Sequence, residues 1–446
     1  MPSLLITNAV VVNEGRRFEA DVLVQDGRIA AIGGDLQSRP VDRAIDAAGR
    51  LLLPGMIDDQ VHFREPGVTY KADIESESRA AVAGGITSFM EMPNTKPPTL
   101  DAERLAAKYA RAAEVSRANY GFYLGASNDN IEAIRTLRVG DACGVKVFMG
   151  ASTGNMLVDD PKVLDAIFQD SPVLIATHCE DTPMILANEA DYRARYGDDV
   201  PMAAHPLIRS EAACLKSSTL AVDLARQHDA RLHVLHLTTA RELALFSAGP
   251  VAGKRITVEV CAHHLYFDEG DYADKGALIK CNPAIKRAED RAALLSAVTE
   301  DRIDVIATDH APHTLEEKAG KYFQSPAGLP LVQDALPSLF THVRAGKLTL
   351  EQLVHKTSHA VADCYHVKER GYIREGYWAD LVLVDADAPF TRTRDQVLYK
   401  CGWSPFEGRE LGATIVATLV NGELAYDNGQ VNDVVRGRRL EFGPTR

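Results

Sequence analysis

The chain lacks the features that suit a membrane, a nucleic acid or a secreted disulfide scaffold. No apolar run in its 446 residues approaches the roughly 20 residues that span a bilayer. Acidic residues outnumber basic ones by 62 to 49, and the formal net charge of −13 argues against binding to a phosphate backbone. The seven cysteines are scattered without a C-x-x-C pair, which is typical of reduced thiols and predicts a cytoplasmic protein.

Targeting and low-complexity signals are also missing. The first residues show no basic segment followed by a long apolar one, so we expect no signal peptide. Hydrophobic residues make up 46% of the chain and charged residues 25%, as in a globular protein. The chain is too long for one ordinary single-core domain, which predicts a large domain with an appendage.

Both ends of the chain consist of short strand-like runs. Near the N-terminus, Asn13-Glu14-Gly15 and Gln25-Asp26-Gly27 separate apolar runs as turns. Near the C-terminus, the apolar run 414–420 is followed by Asn421-Gly422, a strong hairpin signal. We therefore predict one small β-sandwich domain formed by residues 1–54 together with residues 376–446.

Residues 55–375 alternate between strand-like and helix-like segments. Strand candidates include 86–90, 145–149, 173–177, 232–236 and 305–308. The Ala- and Arg-rich run 101–117 predicts a helix with Asp101 as its N-cap. Repeated βα units predict a parallel sheet, most simply a (β/α)8 TIM-like barrel. A doubly wound sheet is the alternative, but no Gly-rich nucleotide fingerprint opens a βα unit.

The most informative segment begins with the apolar run 51–57, which we predict to be one buried strand. It leads into Asp58-Asp59-Gln60-Val61-His62-Phe63-Arg64-Glu65-Pro66-Gly67. Because residues two apart in a strand point the same way, Gln60, His62 and Arg64 should share one face, and Asp59 should face away. An imidazole beside a guanidinium suits a site that holds a metal and an acidic substrate.

Ligand-type side chains lie at the C-terminal ends of five predicted strands. In a barrel these ends meet on one face, where active sites are built. Lys146 lies inside an apolar strand, and burial makes its neutral amine available for reaction with carbon dioxide. The resulting carbamate could bridge two cations; the alternative is a lysine that snorkels or pairs with an acid. The five residues are His62, Lys146, His178, His236 and Asp309.

These motifs, in this order, resemble the cyclic amidohydrolases, and most closely the long form of the dihydroorotase family. The resemblance covers essentially the whole chain. It rests on the strings PGMIDDQVHFREPG, Met92-Pro93-Asn94-Thr95, Thr177-His178-Cys179-Glu180, Leu235-His236-Leu237-Thr238-Thr239, Asn282-Pro283 and Thr308-Asp309-His310-Ala311-Pro312-His313, together with Lys146.

The resemblance implies a role for each matching position. His62, a carbamylated Lys146, His178, His236 and Asp309 would hold one or two zinc ions, and Asp309 would also carry the proton. The substrate carboxylate and ring would contact Arg64, Asn94, His313, Asn282, Ala327 and Gly328. The implied reaction is the reversible hydrolysis of dihydroorotate to N-carbamoyl-L-aspartate in pyrimidine synthesis, and the implied assembly is a homo-oligomer.

Gln60 departs from the pattern of this family, which usually has H-x-H at positions 60 and 62. A Gln carbonyl is a poor zinc ligand beside an imidazole. Gln60 could be a weak ligand, Asp58 or Asp59 could compensate, or the first metal position could be weak or vacant. We interpret the site as functional. A hydantoinase, dihydropyrimidinase or allantoinase and a catalytically impaired scaffold remain the alternatives, and Arg64 favours a substrate with a ring carboxylate.

Three further features have structural interpretations. His263 and His264 follow a strand-like run and could line the pocket, but we interpret them as structural. His310 could orient Asp309. The segment Gly150–Met156 is rich in Gly and hydroxyl groups and could be a mobile lid or an ordinary βα loop.

Overall fold

The computed structural model describes residues 3–150 and 156–443. Its N-terminal strands pair mainly with one another, β1 with β2 and β2 with β3 in antiparallel fashion, and β1 with β4 and β5 in parallel. Two predicted turns are confirmed: Glu14-Gly15 and Asp26-Gly27 all have positive φ, as tight hairpins require. The strands are β1 (Leu4–Asn13), β2 (Arg16–Gln25), β3 (Arg28–Gly33), β4 (Arg43–Asp46) and β5 (Leu51–Pro54).

The middle of the chain contains parallel strands separated by helices. Strands β6, β7 and β8 form one sheet, and β9 to β14 form a second sheet in chain order. A parallel bridge between Val61 and His310 connects the end of β6 to the segment after β14. The strands are β6 (Met56–Val61), β7 (Ile86–Glu91), β8 (Asn119–Phe122), β9 (Leu124–Gly125), β10 (Val145–Phe148), β11 (Ile175–His178), β12 (Leu232–Val234), β13 (Ile256–Cys261) and β14 (Val305–Ala307).

Helices follow most of these strands. The predicted helix after β7 is confirmed, and its N-cap Asp101 accepts a hydrogen bond from the backbone N–H of Arg104 at 2.8 Å. The helices are α1 (Ile74–Ala83), α2 (Ala102–Val115), α3 (Ile131–Arg135), α4 (Pro161–Asp170), α5 (Thr182–Tyr196), α6 (His205–Ile208), α7 (Glu211–His228), α8 (Ala262–Tyr266), α9 (Tyr272–Lys275), α10 (Ala288–Thr299), α11 (Leu315–Lys318), α12 (Ala335–Arg344), α13 (Leu350–Val354) and α14 (Ala360–Tyr365). No helix in the described ranges is long and apolar enough to cross a membrane.

The prediction of one strand over residues 51–57 is wrong. The chain changes sheets at Gly55: β5 pairs with β1 and β15, whereas β6 pairs with β7. A side chain at Gly55 would lie 2.1 Å from the Thr87 hydroxyl, so only glycine allows this close approach. Residues on both sides of the break are buried, so the hydrophobic run continues across it and hides the change of sheet.

The C-terminal strands return to the N-terminal sheet. β15 pairs antiparallel with both β5 and β18, so strands from both chain ends share one nine-stranded sheet. The predicted hairpin at Asn421-Gly422 is confirmed by the positive φ of both residues and the pairing of β18 with β19. The strands are β15 (Leu381–Asp385), β16 (Phe390–Thr391), β17 (Glu410–Leu411), β18 (Thr414–Val420), β19 (Glu423–Asp427) and β20 (Gln430–Val431).

Candidate active site

A cavity of about 420 Å³ is lined by all the residues that the sequence predicts as metal ligands or substrate contacts. The predicted metal-type residues reach it from within β10, from the last residue of β11, or from the one or two residues that follow β6, β12 and β14. The predicted substrate-contacting residues reach it from the connecting segments. The predicted residues that line it are Gln60, His62, Arg64, Asn94, Lys146, His178, His236, Asn282, Asp309, His313, Ala327 and Gly328.

Strand alternation explains only part of this convergence. β6 ends at Val61, and Arg64 reaches the cavity because its backbone adopts a positive φ of 67°. His236 and Asp309 also have positive φ, 41° and 51°, just beyond β12 and β14. Such backbone is costly for residues other than glycine, and it persists where the surroundings hold it. Arg64, His236 and Asp309 are therefore directed into the cavity by the bends after the strands, whereas Lys146 and His178 reach it from within β10 and β11.

Asp309 lies between Gln60 and His62. Its Oδ1 is 3.1 Å from His62 Nε2 and accepts a hydrogen bond from Gln60 Nε2 at 3.2 Å. The other ring nitrogen of His62 lies 2.7 Å from the Asn94 side-chain oxygen, which fixes the ring. Burial lowers the pKa of His62, which favours the neutral imidazole that a metal requires.

His178 and His236 form a second pair of donors. His178 Nδ1 and His236 Nε2 are 3.0 Å apart, and burial lowers the pKa of both rings. The far nitrogen of His178 lies 2.9 Å from Glu180. Burial alone would raise the pKa of Glu180, but Arg209 and His178 offset it and lower it to about 2. Glu180 is thus an anion that orients the ring, as carboxylates do behind metal-bound histidines.

The buried Glu259 anchors the backbone of His236. The His236 N–H donates to Glu259 Oε1 at 2.9 Å, which anchors the left-handed bend. Glu259 Oε2 lies 3.4 Å from His233, and His233 lies 3.2 Å from Asp59. Asp59 therefore faces away from His62, as strand alternation predicts, and it is not among the residues that line the cavity.

Asp58 is also directed elsewhere. Its carboxylate accepts hydrogen bonds from the Thr308 hydroxyl at 2.6 Å and the Thr308 backbone N–H at 3.1 Å. Burial raises the pKa of Asp58 to about 8. Because Asp58 ties β6 to the end of β14 and Asp59 points to the opposite side, neither carboxylate stands in for the missing imidazole at Gln60.

Lys146 is the one lysine among the five ligand-type residues. Its side chain is 1% exposed, and its Nζ lies 4.6 Å from the ring centroid of Phe148. Burial lowers the pKa of this amine to about 8. A buried amine with this pKa has a substantial neutral fraction near neutral pH, which is the form that reacts with carbon dioxide.

Cationic groups occupy the other end of the cavity. Arg64 Nη2 lies 3.2 Å from His313 Nε2, and Arg64 Nε donates to the Pro312 carbonyl. Lys71, which sequence reasoning missed, donates to His313 Nδ1 at 2.9 Å and pairs with Glu317 at 3.1 Å. The Lys71 donor at Nδ1 and the Ala327 carbonyl 3.1 Å from Nε2 favour a proton on Nε2, whereas the Arg64 guanidinium beside Nε2 favours the other tautomer.

The signal for Lys71 was weak in the sequence. It belongs to no strand or helix, and its position seven residues after Arg64 gives no periodicity to follow. Only the fold places it against His313. The other residues that line the cavity and were not singled out for it are Val68, Tyr70, Lys96, Phe148, Ala311, Glu317 and Pro326.

The remaining sequence predictions concern three histidines and a possible lid. His263 and His264 are buried and are not among the residues that line the cavity. His310 contacts Glu77 at 2.9 Å and accepts from the Leu331 backbone N–H, so its hydrogen bonds hold the scaffold. Most of the proposed lid, residues 151–155, lies outside the described residues.

Comparisons with known proteins agree with this arrangement. Residues 51–425 match the amidohydrolase family. The chain belongs to the amidohydrolase family. A dihydroorotase of Halobacterium salinarum is 34% identical over 92% of this chain and 94% of its own length. An allantoinase of Enterococcus faecalis is 30% identical over 95% of both chains. The resemblance to cyclic amidohydrolases inferred from the sequence is thus confirmed.

The fold of a solved structure resembles that of this chain over nearly the whole length of both. An L-hydantoinase from Arthrobacter aurescens superposes with a TM-score of 0.91 at 28% identity, covering 97% of this chain and 98% of its own. The donor set of the cavity fits the metal dependence that is general in the family. Neutral imidazoles, a carboxylate and a buried amine are ligands that divalent transition metals accept, and the neighbouring Asn94 and Glu180 orient two of them.

Proposed function

We propose that this amidohydrolase is a dihydroorotase, which interconverts dihydroorotate and N-carbamoyl-L-aspartate by reversible hydrolysis of a ring amide. The observation that carries the proposal is the pairing of a metal-type donor set with a cationic subsite in one cavity. Relatives named dihydroorotase cover more than nine-tenths of the chain at 31% to 34% identity.

We further propose that the scaffold is a closed (β/α)8 barrel with a β-sandwich domain. Counting β8 and β9 as one strand interrupted at Tyr123 gives eight parallel strands, and the Val61–His310 bridge joins the first to the last. The proposed boundaries are residues 1–54 and 376–446 for the sandwich and 55–375 for the barrel. The nine-stranded sheet shared by both chain ends supports this division.

The proposed metal ligands are His62, His178, His236, Asp309 and a carbamylated Lys146, with zinc as the metal. Gln60 would contribute at most a weak amide ligand. When bound, the metal supplies a nucleophile from water at neutral pH and polarises the ring carbonyl. A carbamate on Lys146 would give this buried position a negative charge and two oxygens, which suits a bridge between two cations.

The residues of the chain perform the remaining tasks. Arg64 holds the ring carboxylate, and its planar guanidinium can donate two parallel hydrogen bonds that orient the ring. His313 and the Asn94 amide line the same cavity as Arg64, where they can contact the same carboxylate. Asn282 and the backbone at Ala327 and Gly328 lie where they can contact the ring.

Asp309 would move the proton. It would accept a proton from the attacking water and return it to the ring nitrogen as the amide bond breaks, acting first as base and then as acid. Gln60 donates to its Oδ1, which holds the carboxylate in one orientation. The reverse reaction uses the same atoms in the opposite order.

A hydantoinase or allantoinase activity is the second candidate, favoured by the printed names of one relative and one solved structure. The test is ring opening of dihydroorotate, a hydantoin and allantoin by protein supplied with zinc and bicarbonate. We expect turnover of dihydroorotate. Turnover of only the other rings would transfer the assignment to the second candidate. No turnover of any ring by metal-loaded protein would favour the impaired scaffold.

A further inference from the structure

A second group of metal-type donors lies behind Gln60, at the junction of β13 and α8. One ligand atom from each of Cys261, His263 and His264 lies within 4.8 Å of the others. All three side chains are buried, at 0%, 0% and 3% exposure. The donors come from four consecutive positions, so the strand-to-helix bend brings them together.

The two imidazoles are short of partners. Among the described residues, neither ring nitrogen of His263 has a partner in good hydrogen-bond geometry, although the Thr308 backbone lies near the ring. His264 Nε2 can donate to the Pro283 carbonyl at 3.2 Å, and its Nδ1 has no partner in the described part of the chain. A buried polar group without a hydrogen bond is destabilising, so a native site with several such groups calls for a water or an ion.

The thiol of Cys261 faces the position where the family usually places an imidazole. Its Sγ lies 3.9 Å from Gln60 Oε1 and 3.7 Å from Glu259 Oε1, both long contacts. The nearby carboxylates of Asp58 and Asp59 are occupied elsewhere. Thiolate and imidazole are better zinc ligands than an amide carbonyl, and the Cys261 thiol is the member of this group that approaches Gln60 Oε1.

We propose that Cys261, His263 and His264 form a metal site of one thiolate and two imidazoles, separate from the donors that line the cavity. The site takes a divalent ion of the zinc class. On binding, the thiol releases its proton to solvent and the sulfur donates an electron pair to the metal. Gln60 then separates two metal positions, with its amide nitrogen on Asp309 and its carbonyl oxygen towards Cys261. This site goes beyond the proposed function, which does not require it.

X-ray absorption at the zinc edge tests the proposal, because the donor set proposed for catalysis contains no sulfur. We expect a zinc–sulfur shell at about 2.3 Å in the loaded wild-type protein, distinct from nitrogen and oxygen at about 2.0–2.2 Å. The shell should vanish in Cys261→Ser, with the loss of one zinc per chain. It should persist in Cys179→Ser, the matched control, which removes another buried thiol, one that donates to the Thr177 hydroxyl.

A loaded wild-type protein without a sulfur shell, or a shell that persists in Cys261→Ser, would overturn the proposal and leave a buried water as the partner of His263. His263→Gln guards against a folding defect in the cysteine variant, because it should also release zinc while keeping the thiol. Dihydroorotate turnover on the same preparation separates the two claims. Turnover without a sulfur shell would contradict only the Cys261 metal site. A sulfur shell without turnover would contradict only the proposed dihydroorotase activity.

Discussion

The two halves of the cavity differ in how completely they are equipped for a metal. In the half formed by His178 and His236, both donors are imidazoles, Glu180 orients one ring, and Glu259 anchors the backbone of the other. In the half formed by His62 and Gln60, one donor is an imidazole and the other an amide that donates to Asp309. The His178–His236 half therefore offers a metal two imidazoles. The His62–Gln60 half offers one imidazole and depends on Asp309 and on the proposed carbamate of Lys146.

Glutamine in place of histidine at position 60 need not abolish metal binding at the proposed site. The side chains around Gln60 keep their own partners: His62 is held by Asn94, and Asp309 by Gln60 itself. The cationic subsite around Arg64 and His313 is independent of the substitution. We therefore expect the metal affinity of one half to be weakened and the recognition of substrate to be intact.

Removing the residue shared by both halves should have the largest effect. Lys146→Ala deletes the proposed bridge, and we expect a loss of several kcal/mol of transition-state stabilisation, about 1,000-fold or more in kcat. Zinc content and dihydroorotate turnover measure it. Added short-chain carboxylates should restore part of the activity, because they can occupy the space of the carbamate. Unchanged turnover would exclude a bridging role.

Arg64→Met tests the cationic subsite without touching the metal half. Loss of one partner of a buried charge pair costs about 2–5 kcal/mol, which is about 30-fold to several thousand-fold in kcat/KM for dihydroorotate. The control is zinc content, which should not change. An equal loss of zinc would mean that Arg64 supports the metal centre and does not bind substrate.

Gln60→His should make the two halves alike. We expect zinc affinity at the weaker position to rise by about tenfold or more, since imidazole replaces an amide as ligand. Competition with a chelator measures the affinity of each ion. Gln60→Asn, which shortens the amide without adding an imidazole, is the matched control. No change in Gln60→His would show that residue 60 does not approach the metal.

Lys71→Met sharpens the role of the residue that the sequence did not reveal. Without the Lys71 donor at Nδ1, the preference for a proton on Nε2 weakens, and a ring with its lone pair on Nε2 cannot donate to the carboxylate. We expect a loss of about 1–2 kcal/mol, about tenfold in KM for dihydroorotate, with kcat less affected. Histidine ¹⁵N chemical shifts report the tautomer. An unchanged tautomer together with a raised KM would instead indicate direct contact of Lys71 with substrate.

The smallest effect concerns pH during metal loading. The pKa of Lys146 is lowered to about 8 by burial, and carbamylation consumes the neutral amine. The neutral fraction falls about tenfold for each pH unit below that pKa, so apoprotein should reactivate faster with rising pH and level off above about pH 8. Reactivation with zinc and bicarbonate at fixed carbon dioxide gives the profile. A rate independent of pH would argue against a carbamate.

The sequence predicted the cavity better than it predicted the path of the chain. The metal-type residues were found because strand ends of one polarity converge. The break at Gly55 was missed, since buried strands on both sides leave the hydrophobic pattern unchanged. The positive φ of Arg64, His236 and Asp309 was also out of reach, because those bends depend on contacts distant in sequence, such as Glu259 with His236.

The most direct test of the account compares two rings that differ by one group. The zinc-loaded wild-type protein should open dihydroorotate with a kcat/KM far above that for dihydrouracil, the same ring without the carboxylate. The cationic subsite of Arg64, His313 and Lys71 has no partner on the uncharged ring. Equal values, or a preference for dihydrouracil, would contradict the assignment of that subsite and with it the proposed dihydroorotase activity.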